Sequence, residues 1–450
     1  MDSRSAMNMK AVAVVLSALA SAVLTCAQPK TGAWERWGIT RPAPEAAEPR
    51  LIAACNLLYA TKFDSARQAY ADLVRDYPSS AEAHLGLSMA YRHIGRSDSA
   101  LAEVETALAL DPDGVGPLCQ YAGLLVGWRR GVYTSEKPGD SARFAAAIEA
   151  ARKAAASGHR YSVYAHVMLW AHYASAGRLS EARQEMKLLG KKGYYPSMLL
   201  DFGRNMMAGL PPDAILFTYG DTDTEPLLCL QATGGFRPDI TVVKLSFLWY
   251  PKTFVAMRDS LRLPNSFSDQ ELTEIMSQPD TAGGKSGVRF ARIRDNVITN
   301  AQKQNRPVCF AATVSPEIIG DWKERLVKEG IFARVVPART GDSIDVPRVL
   351  ENVGHWRMAT AGRKVDWPAC MAPTVRQISW HNLYYISVYL DLARYFQKQG
   401  DLSKVDEWCR RAYGLIEHLD EPQRAGQLVR MWLTMNPNSA EARNLSKKYD

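Results

Sequence analysis

Two hydrophobic periods divide this chain. From about residue 49 to 210, apolar and small residues return every three or four positions, the spacing of helices with one buried face. The helical pattern itself recurs: Pro78 and Pro112 lie 34 residues apart, as do Ala66 and Ala100. In the unit beginning at Ala81, the residues Leu87, Tyr91, Gly95, Ala100, Ala107 and Pro112 fall where two packed helices need alternating large and small side chains. Gly95 is placed to close the first helix, and Ala100 to let the second approach it. A weaker copy precedes it with Leu57, Ala66, Tyr70 and Pro78, and another follows with Leu169, Tyr173, Gly177 and Ala182. Between these copies, helices are predicted over 115–129 and 140–156, joined by a turn-rich insertion, 130–139. A late copy carries Leu392, Phe396, Gly400 and Ala412, with Val405 in the small position, and a short helix is predicted over 439–448.

Residues 211–346 have a different period. Short runs rich in apolar and β-branched residues, 214–219, 240–248, 308–314 and 332–336, predict strands. Helical patterns over 225–232, 251–261, 288–304 and 316–329 separate them, with a short helix over 268–276 and a polar loop over 277–287. Strands alternating with helices predict a small, mostly parallel, Rossmann-like sheet with covering helices. The fold class is therefore α/β plus all-α. A helical region, 49–210, precedes the α/β domain at 211–346, and a repeat-like helical region, 347–450, follows it.

The 34-residue pattern resembles the tetratricopeptide repeat, most specifically over 81–112 and fairly over 163–189. What that implies is a stack of helix pairs with a concave face that binds a protein or peptide partner, or else a scaffold that packs only on its own α/β domain. Upstream, Arg4 and Lys10 lead into the uncharged run 11–24, which is short for a membrane span and has the composition of a secretory signal over 1–27. Cleavage after Ala27 or a lipoprotein-type anchor at Cys26 are the alternatives, with Thr25 departing from the usual small residue before a lipidated cysteine. Either predicts export to a periplasm or cell envelope, with membrane contact only through the anchor. Residues 28–48, rich in Pro, Ala and charge, read as a linker.

An apolar fraction of 47% with 23% charged residues places the chain among folded globular proteins. Its net charge of +8 is spread thinly, without the dense basic stripe of a nucleic-acid binder. None of the seven cysteines has metal-ligand spacing, and buried thiols are expected rather than a disulfide framework.

Candidate chemistry gathers after the first strand, at Asp221, Thr222, Asp223 and Thr224. Ligands of open α/β sheets bind beyond the carboxyl ends of strands. Two carboxylates with two hydroxyls suit the hydroxyls of a sugar, or a hard divalent cation held by Asp221 and Asp223. Thr313 and Ser315, past the third strand, join them if the two strands are neighbours. The plainer reading is helix capping by Asp223 or Thr224, and by Ser315. Lys244, if it points to the first turn, would make an ion pair in place of an open metal site. Trp249, Tyr250, Trp380, Tyr384 and Tyr385 would line a carbohydrate crevice or pack in the core.

The stretch from Ala214 to Leu248, with Asn305–Ser315, Glu329-Gly330 and Arg334–Pro337, resembles the soluble C-terminal region of a family of bacterial membrane proteins. That family is glycosyltransferase-like and related to protein O-mannosyltransferases. The likeness covers about 211–430, with Glu225, Cys229 and Lys244 departing from the family pattern. It implies a free-standing version of the soluble part and carries over no catalytic residue, because the family's transferase chemistry belongs to its membrane half. The expected function is that of an exported binding or assembly protein, without catalysis or cofactor, for a protein or peptide partner and a glycan. The alternatives are an enzyme on glycans or sugar phosphates with a metal at Asp221 and Asp223, and a structural envelope component.

Overall fold

The computed structural model describes residues 37–126, 141–249, 251–277, 288–338, 341–358, 380–417 and 422–449. The signal-like segment with Cys26, the insertion 130–139, Tyr250, almost all of the loop 277–287, and Cys370 lie outside the described residues. The chain forms two compact units, one ending at Tyr194 and the other running from Tyr195.

The first unit is a series of helix pairs: α1 (Glu48–Tyr59) with α2 (Phe63–Asp76), α3 (Ala81–His93) with α4 (Ser97–Leu110), α5 (Val115–Val126) with α6 (Ser141–Ala156), and α7 (Val163–Ser175) with α8 (Leu179–Lys191). Each helix packs on the next, and the first helices of successive pairs, α1, α3, α5 and α7, also touch in sequence. That neighbour-only pattern is the mark of stacked repeats. The packing positions do what their sizes suggest. Leu87, Ala100, Ala107, Tyr173 and Ala182 are buried, while Tyr91 is half-buried and Pro112 sits exposed past α4. At Gly86 a Cβ would run into the Tyr70 ring, so α2 reaches α3 only because that residue is glycine.

Gly95 and Gly177 both take the left-handed conformation, with φ of +85° and +74°. After each, an N–H closes back on the carbonyl five residues earlier, Arg96 on Tyr91 and Arg178 on Tyr173. This is a Schellman closure, which ends the first helix and releases the second. In the first pair Thr61 occupies the same place at φ +57°, with Lys62 N–H bonded to the Leu57 carbonyl.

In the second unit, α9 (Ser197–Gly209) leads to β1 (Ile215–Thr218), α10 (Asp221–Gly234) and β2 (Thr241–Lys244). A 3-10 turn over Leu245–Trp249 then precedes α11 (Pro251–Ser260), α12 (Asp269–Ser277), α13 (Val288–Lys303) and β3 (Val308–Ala311). Next come α14 (Pro316–Ile319), β4 (Leu326–Lys328), β5 (Phe332–Val335) and α15 (Val346–His355). The C-terminal helices are α16 (His381–Lys398), α17 (Leu402–Ile416), α18 (Pro422–Met435) and α19 (Ala440–Ser446). The α16–α17 corner repeats the glycine closure, with Gly400 at φ +76° and Asp401 N–H on the Phe396 carbonyl.

The sheet order is β2-β1-β3-β5-β4. It corrects the expectation of a mostly parallel sheet: β1 is parallel to β2 and β3, but β5 is antiparallel to both β3 and β4. Only three residues separate β4 from β5, too few for the crossover a parallel pair needs. The helix predicted over 316–329 stops at Ile319, where Gly320 takes φ +66°, and its last residues form β4 instead. The first three strands are buried and their apolar side chains carry the core, with Phe217 and Phe310 ring to ring at 5.2 Å. Tyr385 also belongs to the core, its hydroxyl accepting from Asn205 at 2.8 Å and its ring against Phe202 and Trp356. Cys55, Cys119, Cys229, Cys309 and Cys409 are buried thiols. Burial pushes the Cys229 thiol up to about 11 and those of Cys119 and Cys409 to about 12, which keeps them protonated and unreactive.

Candidate functional site

The connection from β1 goes through α10 to β2 on one side of β1, and the chain then returns through α11–α13 to β3 on the other side. The strand order thus reverses at β1, and the carboxyl ends of β1 and β3 mark the switch point of the sheet. The residues that meet there are those singled out in the sequence, joined by others.

Helix α10 begins four residues earlier than its apolar pattern suggests, so the acidic turn is its first turn. Gly220 is the N-cap and makes no side-chain cap bond. Asp223 and Thr224 are therefore not caps, correcting that expectation. The Asp223 carboxylate folds back to accept the Tyr219 N–H at 3.2 Å, and Thr224 donates to the Gly220 carbonyl at 2.6 Å. Both lie in the first turn, where carboxylates favour the positive end of the helix. Thr224 also meets the hydroxyl of Thr218, the last residue of β1, at 2.7 Å.

Thr313, just past β3, donates its hydroxyl to Asp223. Lys244, paired in register with Thr218 at the end of β2, reaches Asp221. Glu225, one turn into α10, accepts from the Tyr195 hydroxyl at 2.9 Å. Thr222 is half-buried at the same helix end. Ser315 stays outside the cluster: it makes no cap bond to α14, and its hydroxyl holds Glu317 below the ordinary carboxylate range.

The cluster is nearly dry, with Asp223 at 2%, Glu225 at 5% and Lys244 at 8% exposure. Burial raises Asp223, against the Thr313 hydroxyl and the Tyr219 N–H. Burial, with the charge of Asp221, pushes Glu225 up to about 8. For Lys244 burial works against the charge, but Asp221, Glu225 and Asp223 outweigh it and hold the ammonium above its ordinary value. Tyr384, from α16, is raised by burial and then by the charge of Asp223, and its ring meets Phe202 and His381. Trp380 is 40% exposed.

This arrangement gathers carboxyl groups, hydroxyls and an ammonium that are engaged with one another. It is poorly suited to phosphate, because Asp221 and Asp223 already occupy the helix N-terminus. It also lacks an open oxygen cage: Asp221 is engaged by Lys244, and Asp223 by Thr313 and Tyr219. Among the described residues no group of three His, Cys, Asp or Glu side chains is placed to hold a metal ion.

The repeats hold a second set of buried polar contacts, which sequence reasoning missed. His84 Nδ1 meets Glu103 Oε2 at 2.7 Å, and His166 Nδ1 meets Glu185 Oε2 at 2.7 Å. Each histidine sits in the first helix of its pair and each glutamate in the second, 19 residues later. That shared spacing was the available signal. His84 Nε2 also faces the Pro78 carbonyl at 3.0 Å. A carbonyl and a carboxylate both accept, so His84 satisfies them as an imidazolium. Burial opposes this charge, while the bonds to Glu103 and Pro78 raise the His84 pKa above its ordinary value.

A family model described as a tetratricopeptide repeat matches residues 53–115, and one described as TMEM260-associated domain 2 matches residues 199–278. The first match covers most of the first two helix pairs, and the stacking of all four pairs is tetratricopeptide-like. The second match covers α9 through α12 and thus the acidic first turn of α10. No curated protein matches the chain. Among solved structures it is similar to the TPR domain of P58(IPK), at 13% identity over 89% of this chain and 96% of that one, with a TM-score of 0.24. It is also similar to a structure of Naa15/Naa10 bound to HypK-THB, at 12% identity over 89% of this chain and 65% of that one, with a TM-score of 0.21. Scores this low carry no structural argument.

Proposed function

We propose that this chain is a binding or assembly protein whose tetratricopeptide repeats hold a protein or peptide partner, and whose α/β domain recognises a glycan without transforming it. The observation that carries the first half is the stack of helix pairs, in a stretch where the repeat model matches. The second half is supported by the polar cluster at the switch point, whose carboxyl and hydroxyl chemistry suits sugar hydroxyls. Its likeness to the soluble part of a membrane transferase family adds to that support. Export to the cell envelope belongs to the same reading and rests on the basic start and apolar run before Cys26.

One observation favours an enzyme instead: Asp223, Glu225 and Lys244 are buried together, and burial, with the charge of Asp221, pushes Glu225 up to about 8, the direction in which a carboxyl is tuned for acid–base work. Two measurements decide. Peptides selected from a random library on the immobilised full chain should bind it, and failure to select any would remove the partner reading. Thermal shifts with divalent cations, nucleotide sugars and oligosaccharides should respond to oligosaccharide alone and weaken in Asp223→Ala. Release of a sugar or phosphate from any of these compounds would install the enzyme reading.

A further inference from the structure

The stretch 37–41, part of the predicted linker, is packed into the repeats. Trp37 is 1% exposed and Ile39 4%. The Val115 N–H donates to the Gly38 carbonyl at 2.9 Å, tying the segment to the start of α5. Asp111, fully buried at the end of α4, takes both donors of Thr40: the backbone N–H at 2.7 Å, and the hydroxyl. Arg41 donates to the Leu110 carbonyl at 3.1 Å.

The seat is shaped for a chain. A Cβ on Gly116 would lie 2.6 Å from the Trp37 carbonyl oxygen and 2.9 Å from Leu85 of α3, so the missing side chain is what admits the segment. Gly38, at φ +61°, passes His159 and Val115 so closely that a Cβ there would lie 2.8 Å from the His159 ring. A buried aromatic anchor, a backbone bond, and a carboxylate that reads an N–H and a hydroxyl together form a peptide-recognition site in all but covalent connection.

We propose that the surface formed by α3, the α4–α5 corner and the approach to α7 is the partner-docking site of the repeats, and that residues 37–41 occupy it as a built-in ligand. The partner it fits is a peptide segment with an aromatic anchor, then glycine, an aliphatic residue, a Ser or Thr, and a basic residue. The segment has to leave before the partner enters, so the free protein binds more weakly than the emptied surface. This inference rests on the reading of the repeats as a binding surface.

The test uses the full chain, as wild type, as Thr40→Ala and as Trp37→Ala/Ile39→Ala, with a labelled peptide of residues 37–44 as probe and anisotropy as readout. The double variant is expected to bind the peptide about tenfold or more tightly than wild type, because an occupied site lowers apparent affinity by its free fraction. Thr40→Ala should fall between. Equal binding by all three, or loss of the helical circular dichroism in the double variant, would overturn the proposal, the latter by making the segment part of the core. A concentration-dependent dimer of the wild type that Trp37→Ala abolishes would assign the surface to a second copy of this chain and overturn the partner-peptide assignment. If library peptides protect α3 and α5 from amide exchange while the 37–44 peptide binds no variant, the partner reading stands and this inference falls.

Discussion

His84 and Glu103 meet across a single helical hairpin, and His166 and Glu185 repeat the contact at the same 19-residue spacing. Lys244 instead stands among Asp221, Asp223 and Glu225 at the edge of the sheet, with Tyr195 and Thr313 brought in from either side along the chain. Both units thus bury titratable groups, but these two repeat contacts are local to one hairpin, whereas the sheet cluster is drawn together by the topology. The repeat pairs serve to hold neighbouring helices in register. The sheet cluster lies at the carboxyl ends of the strands, where such sheets bind ligands.

That contrast can be broken most forcefully at Lys244. Lys244→Met should cost about 3–5 kcal/mol in denaturant unfolding, because it leaves buried carboxylates without their cation. The double variant Lys244→Met/Asp221→Asn should recover most of the loss. A single-variant cost below roughly 1 kcal/mol would make the pair a surface contact in energetic terms.

Next in size is the response to pH, in which the two units should agree. Burial, with the Glu48 charge, pushes Glu82 of α3 up to about 8, as burial does Glu225 in the sheet domain. For both, the folded pKa lies above the unfolded one, so the stability of the protonated form is full below the ordinary glutamate range and lost as pH rises through about 8. His84 acts with the same sign, its contribution fading as pH rises through its raised pKa. Stability should therefore fall from about pH 5 to about pH 8, by roughly 1 kcal/mol per pH unit for each glutamate, and level off above the raised value of about 8. Glu82→Gln should flatten the part of that slope belonging to the repeats, and an unchanged slope would remove Glu82 from the account.

His84→Ala should cost about 2 kcal/mol, in the range for hydrogen bonds to charged groups. His166→Ala should cost less, since among the described residues its ring bonds Glu185 alone while the His84 ring bonds both Glu103 and Pro78. Equal losses would mean that the Pro78 carbonyl adds nothing. The smallest effects compare corners of the repeats. Gly95→Ala should cost about 1 kcal/mol, the left-handed penalty of a Cβ. Thr61→Gly, relieving the same conformation at the first corner, should gain about 0.5 kcal/mol after the glycine's greater unfolded freedom is subtracted.

The repeats were legible in the sequence because each buried position is set by its neighbours within one 34-residue unit. Gly95, Gly177 and Gly400 mark corners that only a positive φ can make. The sheet was legible in its first three strands and misjudged after Gly320, where a three-residue strand is too short to show a period. The start of α10 was hidden because Asp-Thr-Asp-Thr reads as a turn, although its side chains fold back on the helix they begin. At the site, Asp221, Asp223, Thr224 and Thr313 do lie together and Ser315 does not. Glu225, read only as a departure from the family pattern, and Tyr195 were not expected at the site, although Asp221, Asp223 and Glu225 at every second position are a recognisable acidic helix start. The seat of Trp37 left no trace, because a single segment bound by other helices has no period of its own.

The central claim is that this protein works by holding a peptide segment on its repeats. Amide exchange on the full chain, free and with a library-selected peptide bound, tests it most directly. The account predicts slower exchange in α3 and α5 together with faster exchange at residues 38–41 as the built-in segment is displaced. Protection confined to residues 213–248, with the repeats unchanged, would contradict it.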